Sequence, residues 1–400
     1  MSRINGILPR LGLALLCGLA SGPTAWARGY TPQGTCEGFP RVQIQAPPGY
    51  CVALVADERQ GLRFPRRMLE VAPGRFWIVD MGNWEPRRGR LIELTLQAGV
   101  ARTRVLRDRL DRPHGLARGP DQKIYVAETT RIWRSAMDTF APEDVITGLP
   151  GDGAHPLKEI AFGSAGRLYI SVGSTSDACR DDQGRQPYPC PGTDGERPRG
   201  AVYEAVLGGP QWTLQQLRPW ALGLRNAMAL AVRMRPGQAD QVLQGENSVD
   251  YADEAEPAEE YNILQAGAHY GWPYCVADRR PARGYEGRHD CATTQAPDAL
   301  WPAHVAPLHF LLAPASDHPW GGRLLVAWHG YRAAGHRVMA YTLTPSGTIS
   351  GPGTELLGAW SAQAGVRPLG TPVGLTLDSQ GRLFVLEDRN RTVLMLGRHP

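Results

Sequence analysis

One phrase recurs along this chain, and it constrains the fold more than any other feature. A Gly-containing turn leads into a short alternating apolar strand, with a chemically equipped loop before or after it. Clear copies are PGRFWIVD ending at Asp80, GPDQKIYVAE ending at Glu128, GSAGRLYISVG ending at Gly173, GGRLLVAWHG ending at Gly330 and DSQGRLFVLED ending at Asp388. A weaker sixth copy, GQADQVLQGEN, ends at Asn247. The equivalent central positions Trp77, Tyr125, Tyr169, Val242, Leu325 and Phe384 are spaced by 48, 44, 73, 83 and 59 residues. The two long gaps each hold a pair of cysteines and read as insertions. Without them the period suits a four-stranded blade, a unit that buries its faces only by stacking on neighbours around a ring. The repeat therefore predicts an all-β, six-bladed β-propeller with four-stranded blades and disulfide-bearing inserted loops. A β-sandwich is the competing architecture, and a repeat of this length does not suit it. With 47 glycines and 34 prolines the composition is turn-rich, and aromatic and β-branched residues remain plentiful, which separates it from disorder.

The first residues read as an address. Arg3 and Arg10 precede the apolar run LGLALLCGLA, and Ala25-Trp26-Ala27 offers a small-residue cleavage site. The expectation is a leader over 1–27 and a single propeller domain over 28–400, in the periplasm or secreted. The apolar run is about a dozen residues, shorter than the ~20 a membrane span needs, so no span is expected. A lipoprotein reading of Cys17 is disfavoured by the large Leu16 before it. Six cysteines follow the leader: Cys36, Cys51, Cys179, Cys190, Cys275 and Cys291. An even number in an exported chain argues for disulfides. About 15 connectivities remain open, of which short loops favour the local one. No CxxC occurs, which leaves zinc and c-type haem without support. The formal charge is +4, and loss of Arg3 and Arg10 leaves about +2, too balanced for a nucleic-acid partner.

A second phrase precedes several of the strands: FPRRML near Phe64, RPHGLA near His114, AHPLKEIAFG near His155, LRNAMALAV near Arg225 and TPVGLTL near Val373. In a propeller the equivalent loops of successive blades converge on one end of the channel. Arg66 or Arg67, His114, His155 and Arg225 would then face one another in a concave small-molecule site.

Three stretches carry a family resemblance: AHPLKEIAFGSAGRLYISVGSTSD, WALGLRNAMALAV and QGENSVDYADEAEPAEEYNILQAGAHYGWP. They resemble the soluble pyrroloquinoline-quinone (PQQ) dependent sugar dehydrogenases and their glucose/sorbosone dehydrogenase relatives, over most of the mature chain. The resemblance implies a periplasmic oxidoreductase that oxidises a sugar or related hydroxyl or aldehyde substrate and passes electrons to an acceptor of unknown identity. It implies His155 as general base, neutral at working pH and within reach of the substrate hydroxyl. Arg225 matches the arginine that contacts the cofactor and the reacting oxygen, and a guanidinium suits a tricarboxylated quinone. Asn226 would help to fix that loop and is counted with the cofactor-binding residues. Gly245 and Glu246 lie where the family offers backbone carbonyls to calcium, and Asp250, Asp253, Glu254, Glu256, Glu259 and Glu260 add oxygens nearby. A solvated acidic loop is the plainer reading of that run. His329, Arg337 and Arg367 are further candidates for the basic wall of the cofactor pocket, and equally for surface charges.

The chain also departs from the family. Glucose-oxidising members have a carboxylate where this chain has Ser174, with Asp177 three positions on. They carry two arginines in the last blade where TPVGLTL supplies none, as in the sorbosone-type relatives. Ala227 and Glu246 each stand where the family has proline. Two other functions fit the same architecture: a calcium-dependent lactone hydrolase, and a non-catalytic binding propeller.

Overall fold

The recurrent phrases become the second strands of six four-stranded antiparallel sheets: Arg75–Asp80, Ile124–Ala127, Arg167–Val172, Gln241–Glu246, Leu324–Trp328 and Leu383–Glu387. This architecture comes from a computed structural model that describes residues 30–181, 183–360 and 370–398. The leader expected over 1–27 and Arg367 lie outside the described residues. Second strands are flanked by strands on both edges and by neighbouring blades on both faces. That is why Trp77, Tyr125, Tyr169, Val242, Leu325 and Phe384 are all buried. Among the described residues there is no α-helix, only three short 3-10 turns, and no helix is long and apolar enough to cross a membrane.

The first strands of the blades are Pro65–Ala72, Leu116–Arg118, Ile160–Phe162, Ala229–Arg233, Pro307–Leu312 and Pro372–Leu377. Each touches the next around the ring, the last touches the first, and together they wall the central axis. The fifth was not among the phrases read from the sequence. Aromatic pairs lock adjacent blades: Phe76 on Phe384 at 5.1 Å, Tyr125 on Phe162 at 4.8 Å, Tyr261 on Phe310 at 6.0 Å. Such contacts contribute ~0.5–1.5 kcal/mol each beyond the area they bury.

The ring closes by exchange between the two ends of the chain. Tyr50–Ala56 pairs antiparallel with Thr392–Arg398 and supplies the outer strand of the last blade. Phe39–Val42 and Thr35–Cys36 extend that sheet to six strands, and the Cys36–Cys51 disulfide ties the extension down. The other disulfides are Cys179–Cys190 and Cys275–Cys291, so all three are local. The two long insertions that carry them pack on each other. Their cysteines share one buried cluster with Trp272, Tyr274 and Tyr285, and the Tyr274 hydroxyl accepts from the Cys190 amide at 2.8 Å. This cap stands beside blades 3 and 4.

Candidate functional site

At one end of the channel the loops of several blades enclose a cavity of about 500 Å3. The loops entering the first strands bring Arg66, His155, Arg225, Asn226 and Ala306 to it. Turns that leave second strands bring Trp84, Asn247, His329 and Asp388, together with Tyr331 and Arg332 just beyond.

His155 is held from two sides. Its amide donates to the Ser174 carbonyl at 3.2 Å, and its Nδ1 lies 2.8 Å from Ser174 Oγ. Gly173 is required beside it, because a Cβ there would stand 2.5 Å from His155 Cβ and 2.6 Å from its carbonyl oxygen. The Ser174 hydroxyl has one proton and donates it to the Ser176 carbonyl at 2.7 Å. Toward His155 it can therefore only accept, which assigns the ring proton to Nδ1 and leaves Nε2 with a free lone pair. Burial, reinforced by the neighbouring Arg225 charge, pushes the His155 pKa down to about 3, so the ring is neutral across ordinary pH.

Arg225 is buried, yet its carboxylate partners are not. It donates from Nη1 to the Asn247 carbonyl at 2.9 Å and from Nη2 to Asp250 Oδ2 at 2.6 Å. Its Nε lies 2.8 Å from Asp177 Oδ1, but off line, so that contact is an ion pair rather than a hydrogen bond. The Asp177 and Asp250 side chains are 43% and 74% exposed. Asn226 fixes the loop as expected of its backbone: its amide donates to Glu246 Oε1 at 3.1 Å and its carbonyl accepts from Asn247 Nδ2 at 3.1 Å.

The opposite wall is closed. Arg66 donates to Asp388 at 2.5 Å and to His114 Nδ1 at 3.0 Å, and His329 Nε2 lies 3.0 Å from Asp388. Beneath it Arg67 grips Glu159 and the Leu308 carbonyl. Burial alone would raise the Asp388 pKa, but His329 and Arg66 pull it down to about 2. The strand-end acids Asp80, Glu128 and Asp388 all close copies of the repeated phrase. Only Asp388 of the three reaches the cavity; Asp80 and Glu128 tie their own turns. That shared position is the sequence signal by which Asp388 could have been found.

Of the residues expected from the sequence, Arg66, His155, Arg225, Asn226, Asp250, Glu259 and His329 line this one cavity, while His114 stands behind Arg66. Arg337 stands away from it, donating to Gly335 and Ala333 carbonyls and pairing with Glu355. Gly245 is packed in its strand, where a Cβ would meet Phe310, Ala229 and Pro307 at 3.0–3.1 Å. Glu246 faces a small neighbouring void with Glu260. The acidic run divides: its outer members are taken up in ion pairs, while Glu246, Glu259 and Glu260 stay grouped. Asp253 and Glu256 pair with Arg283, Glu254 with Arg332, Asp250 with Arg225. Burial raises the pKa of Glu246 to about 7 and of Glu259 to about 8, and that of Glu260 well above its ordinary value. Among the described residues no group of three or more His, Cys, Asp or Glu could hold a metal ion.

No family model matches the sequence, and no curated protein matches it. Solved structures do. The chain is similar to a Trichoderma reesei carbohydrate-active enzyme of family AA12 (TM-score 0.68, 20% identity, 92% of this chain and 100% of that one). It is similar to the holo PQQ domain of a Coprinopsis cinerea pyranose dehydrogenase (TM-score 0.68, 22% identity, 90% and 98%). The soluble aldose sugar dehydrogenase of Escherichia coli, in apo form, gives a TM-score of 0.60 at 15% identity over 88% and 100%. These likenesses extend over nearly the whole of both chains and establish the shared propeller.

Proposed function

We propose that the protein is an oxidoreductase that binds PQQ in this cavity and oxidises a hydroxyl or aldehyde of a sugar-like molecule. The observation that carries the reading is the chain from Ser176 through Ser174 to His155, which leaves an unprotonated Nε2 beside a buried arginine in a cavity at the end of the channel. The cavity suits the cofactor in size and charge. Arg225 and Arg332, whose carboxylate partners are exposed, line it, and guanidinium groups match carboxylates in two-pronged fashion. The quinone supplies a hydride acceptor when bound. His155 Nε2 takes the proton of the substrate hydroxyl, and Ser174 keeps the ring in the tautomer that can do so. Arg225 donates to oxygen on which negative charge develops. Calcium receives no side-chain site from the acidic run, and no step here depends on it.

Export is part of the proposal. The leader at 1–27, one mature domain from 28 onward and a periplasmic or secreted location agree with three disulfides, which persist in oxidising compartments. The lactone-hydrolase alternative loses ground at the axis, where the carboxylates Asp388 and Glu159 are already held by Arg66 and Arg67 in buried ion pairs. A titration of PQQ into the purified chain, followed by calorimetry and visible absorption, tests the reading. Saturable binding is expected; no heat and no spectral change at roughly tens of micromolar, a level at which a binding free energy of some 6–7 kcal/mol would already show, overturns it.

A further inference from the structure

A groove of about 510 Å3 lies between blades 2 and 3 and shares no lining residue with the central cavity. One wall is the glycine-rich connection 148–152, which rests on blade 2: a Cβ on Gly151 would stand 2.5 Å from Thr129 Cγ2. The other wall is Arg197 and Arg199, from the end of the first long insertion.

Positive charge is crowded here beyond what the local carboxylates balance. The Arg199 side chain is 12% exposed, whereas that of its partner Asp152 is 77% exposed. Arg225 shows the same imbalance with Asp250. Arg197 donates to the Gly148 carbonyl at 2.8 Å and has no carboxylate partner among the described residues. Close by is a buried lysine that the proposed chemistry does not use. Among the described residues the Lys158 ammonium donates to one acceptor, the Pro156 carbonyl at 2.7 Å. An ammonium carries more N–H donors than that, so the group is under-satisfied. Burial, then the charges of Arg199 and Arg112, pull the Lys158 pKa down to about 7, against an upward pull from Asp152. Arg199 and Asp152 thus belong both to the groove and to the surroundings of Lys158. Arg112 spends its charge on Asp111. A buried cation short of counter-charge is costly, and a methionine would fill the space without that cost. An anion in the groove supplies the missing charge.

We infer that the groove is a binding site for a small oxyanion, a phosphate or a carboxylate group, gripped by Arg199 and Arg197 and attracted in addition by the charge of Lys158. Guanidinium groups present paired N–H donors that match two oxygens of such a group. Asp152 stands in water and gives way to the ligand at small loss. The site is separate from the cofactor cavity and independent of the oxidoreductase reading.

The test titrates sodium phosphate and, separately, sodium citrate into the full chain at neutral pH and constant ionic strength, followed by calorimetry. Saturable binding of at least one is expected, and the pair of titrations distinguishes phosphate from carboxylate. Arg199→Gln should weaken binding about tenfold or more, while Asp152→Asn, which removes the competing carboxylate, should strengthen it about threefold. Arg225→Gln should leave it within about twofold, because the central cavity is a separate site. Thermal melting confirms that each variant is folded. Lys123 and Lys158 are the two lysines of the chain, so carbon-13 lysine labelling resolves Lys158 by NMR. Its titration should move to higher pH when the anion is bound. Four results overturn the site: no saturable heat from either anion up to roughly 20 mM, affinity unchanged in Arg199→Gln, affinity lost in Arg225→Gln, or a Lys158 titration that the anion does not move.

Discussion

The two walls of the cavity are built from the same residue types and behave as opposites. On one, Arg225 is buried but its carboxylate partners Asp177 and Asp250 stand largely in water. On the other, Arg66 and Asp388 are 4% and 1% exposed and are saturated by His114 and His329. An exposed carboxylate can be exchanged for that of a ligand at small loss, because it is screened and returns to solvent. A buried pair cannot be opened without stranding a charge in a low-dielectric interior. The difference separates a wall that receives from a wall that supports.

The largest expected effect strikes the receiving wall. His155→Ala should lower turnover of the quinone-loaded protein by about 10²–10⁴-fold while PQQ affinity, followed by calorimetry, is largely kept. Equal loss of both would assign His155 to binding rather than proton transfer. Next comes the supporting wall. Asp388→Ala leaves Arg66 uncompensated and should destabilise the fold by about 3–5 kcal/mol in urea or thermal melts. A change under ~1 kcal/mol would erase the distinction between the walls.

A smaller effect concerns pH. Glu259 lines the cavity and, by burial, keeps its proton up to about pH 8. Its folded pKa lies above the unfolded one, so its stabilising contribution is complete below about pH 4.5 and disappears as pH rises through 8. The melting temperature of the native chain should therefore fall more steeply between pH 5 and 9 than that of Glu259→Gln. Parallel curves would show that the buried carboxyl does not titrate in this way. The smallest effect is Asp250→Asn, which frees Arg225 Nη2. Stability should move by no more than ~0.5 kcal/mol, and affinity for PQQ should rise a few fold. A weaker affinity would show that Asp250 holds the ligand instead of competing with it.

Much of the fold was legible because second strands are buried on every side, so Trp77, Tyr125 and Phe384 announce themselves with their turns. The first strand of the fifth blade, Pro307–Leu312, was missed because His309 and Leu311 blur its alternation and no glycine turn follows closely. Ring closure was invisible for another reason: Tyr50–Ala56 and Thr392–Arg398 are distant in sequence, and local patterning says nothing about such a pairing. In the site, His155, Arg225 and His329 could be picked out by residue type and phrase. The function of Ser174 could not, because an isolated serine acquires its meaning only from the Ser176 carbonyl that takes its proton. Asp388 stands out by its place at the end of a repeated phrase, but its pairing with Arg66 across 322 positions was hidden in the same way.

The closing strand has a consequence for how the chain comes into being. Residues 50–56 are synthesised about 340 residues before their partner strand 392–398, so one edge of an apolar strand stays unpaired over that whole interval. Unpaired edges invite association with other chains. Here the hairpin from Thr35 to Ala56, pinned by Cys36–Cys51, covers the other edge of the same strand. The Cys36–Cys51 disulfide, once formed, holds in place the segment that covers this edge, leaving only the other edge for the closing strand.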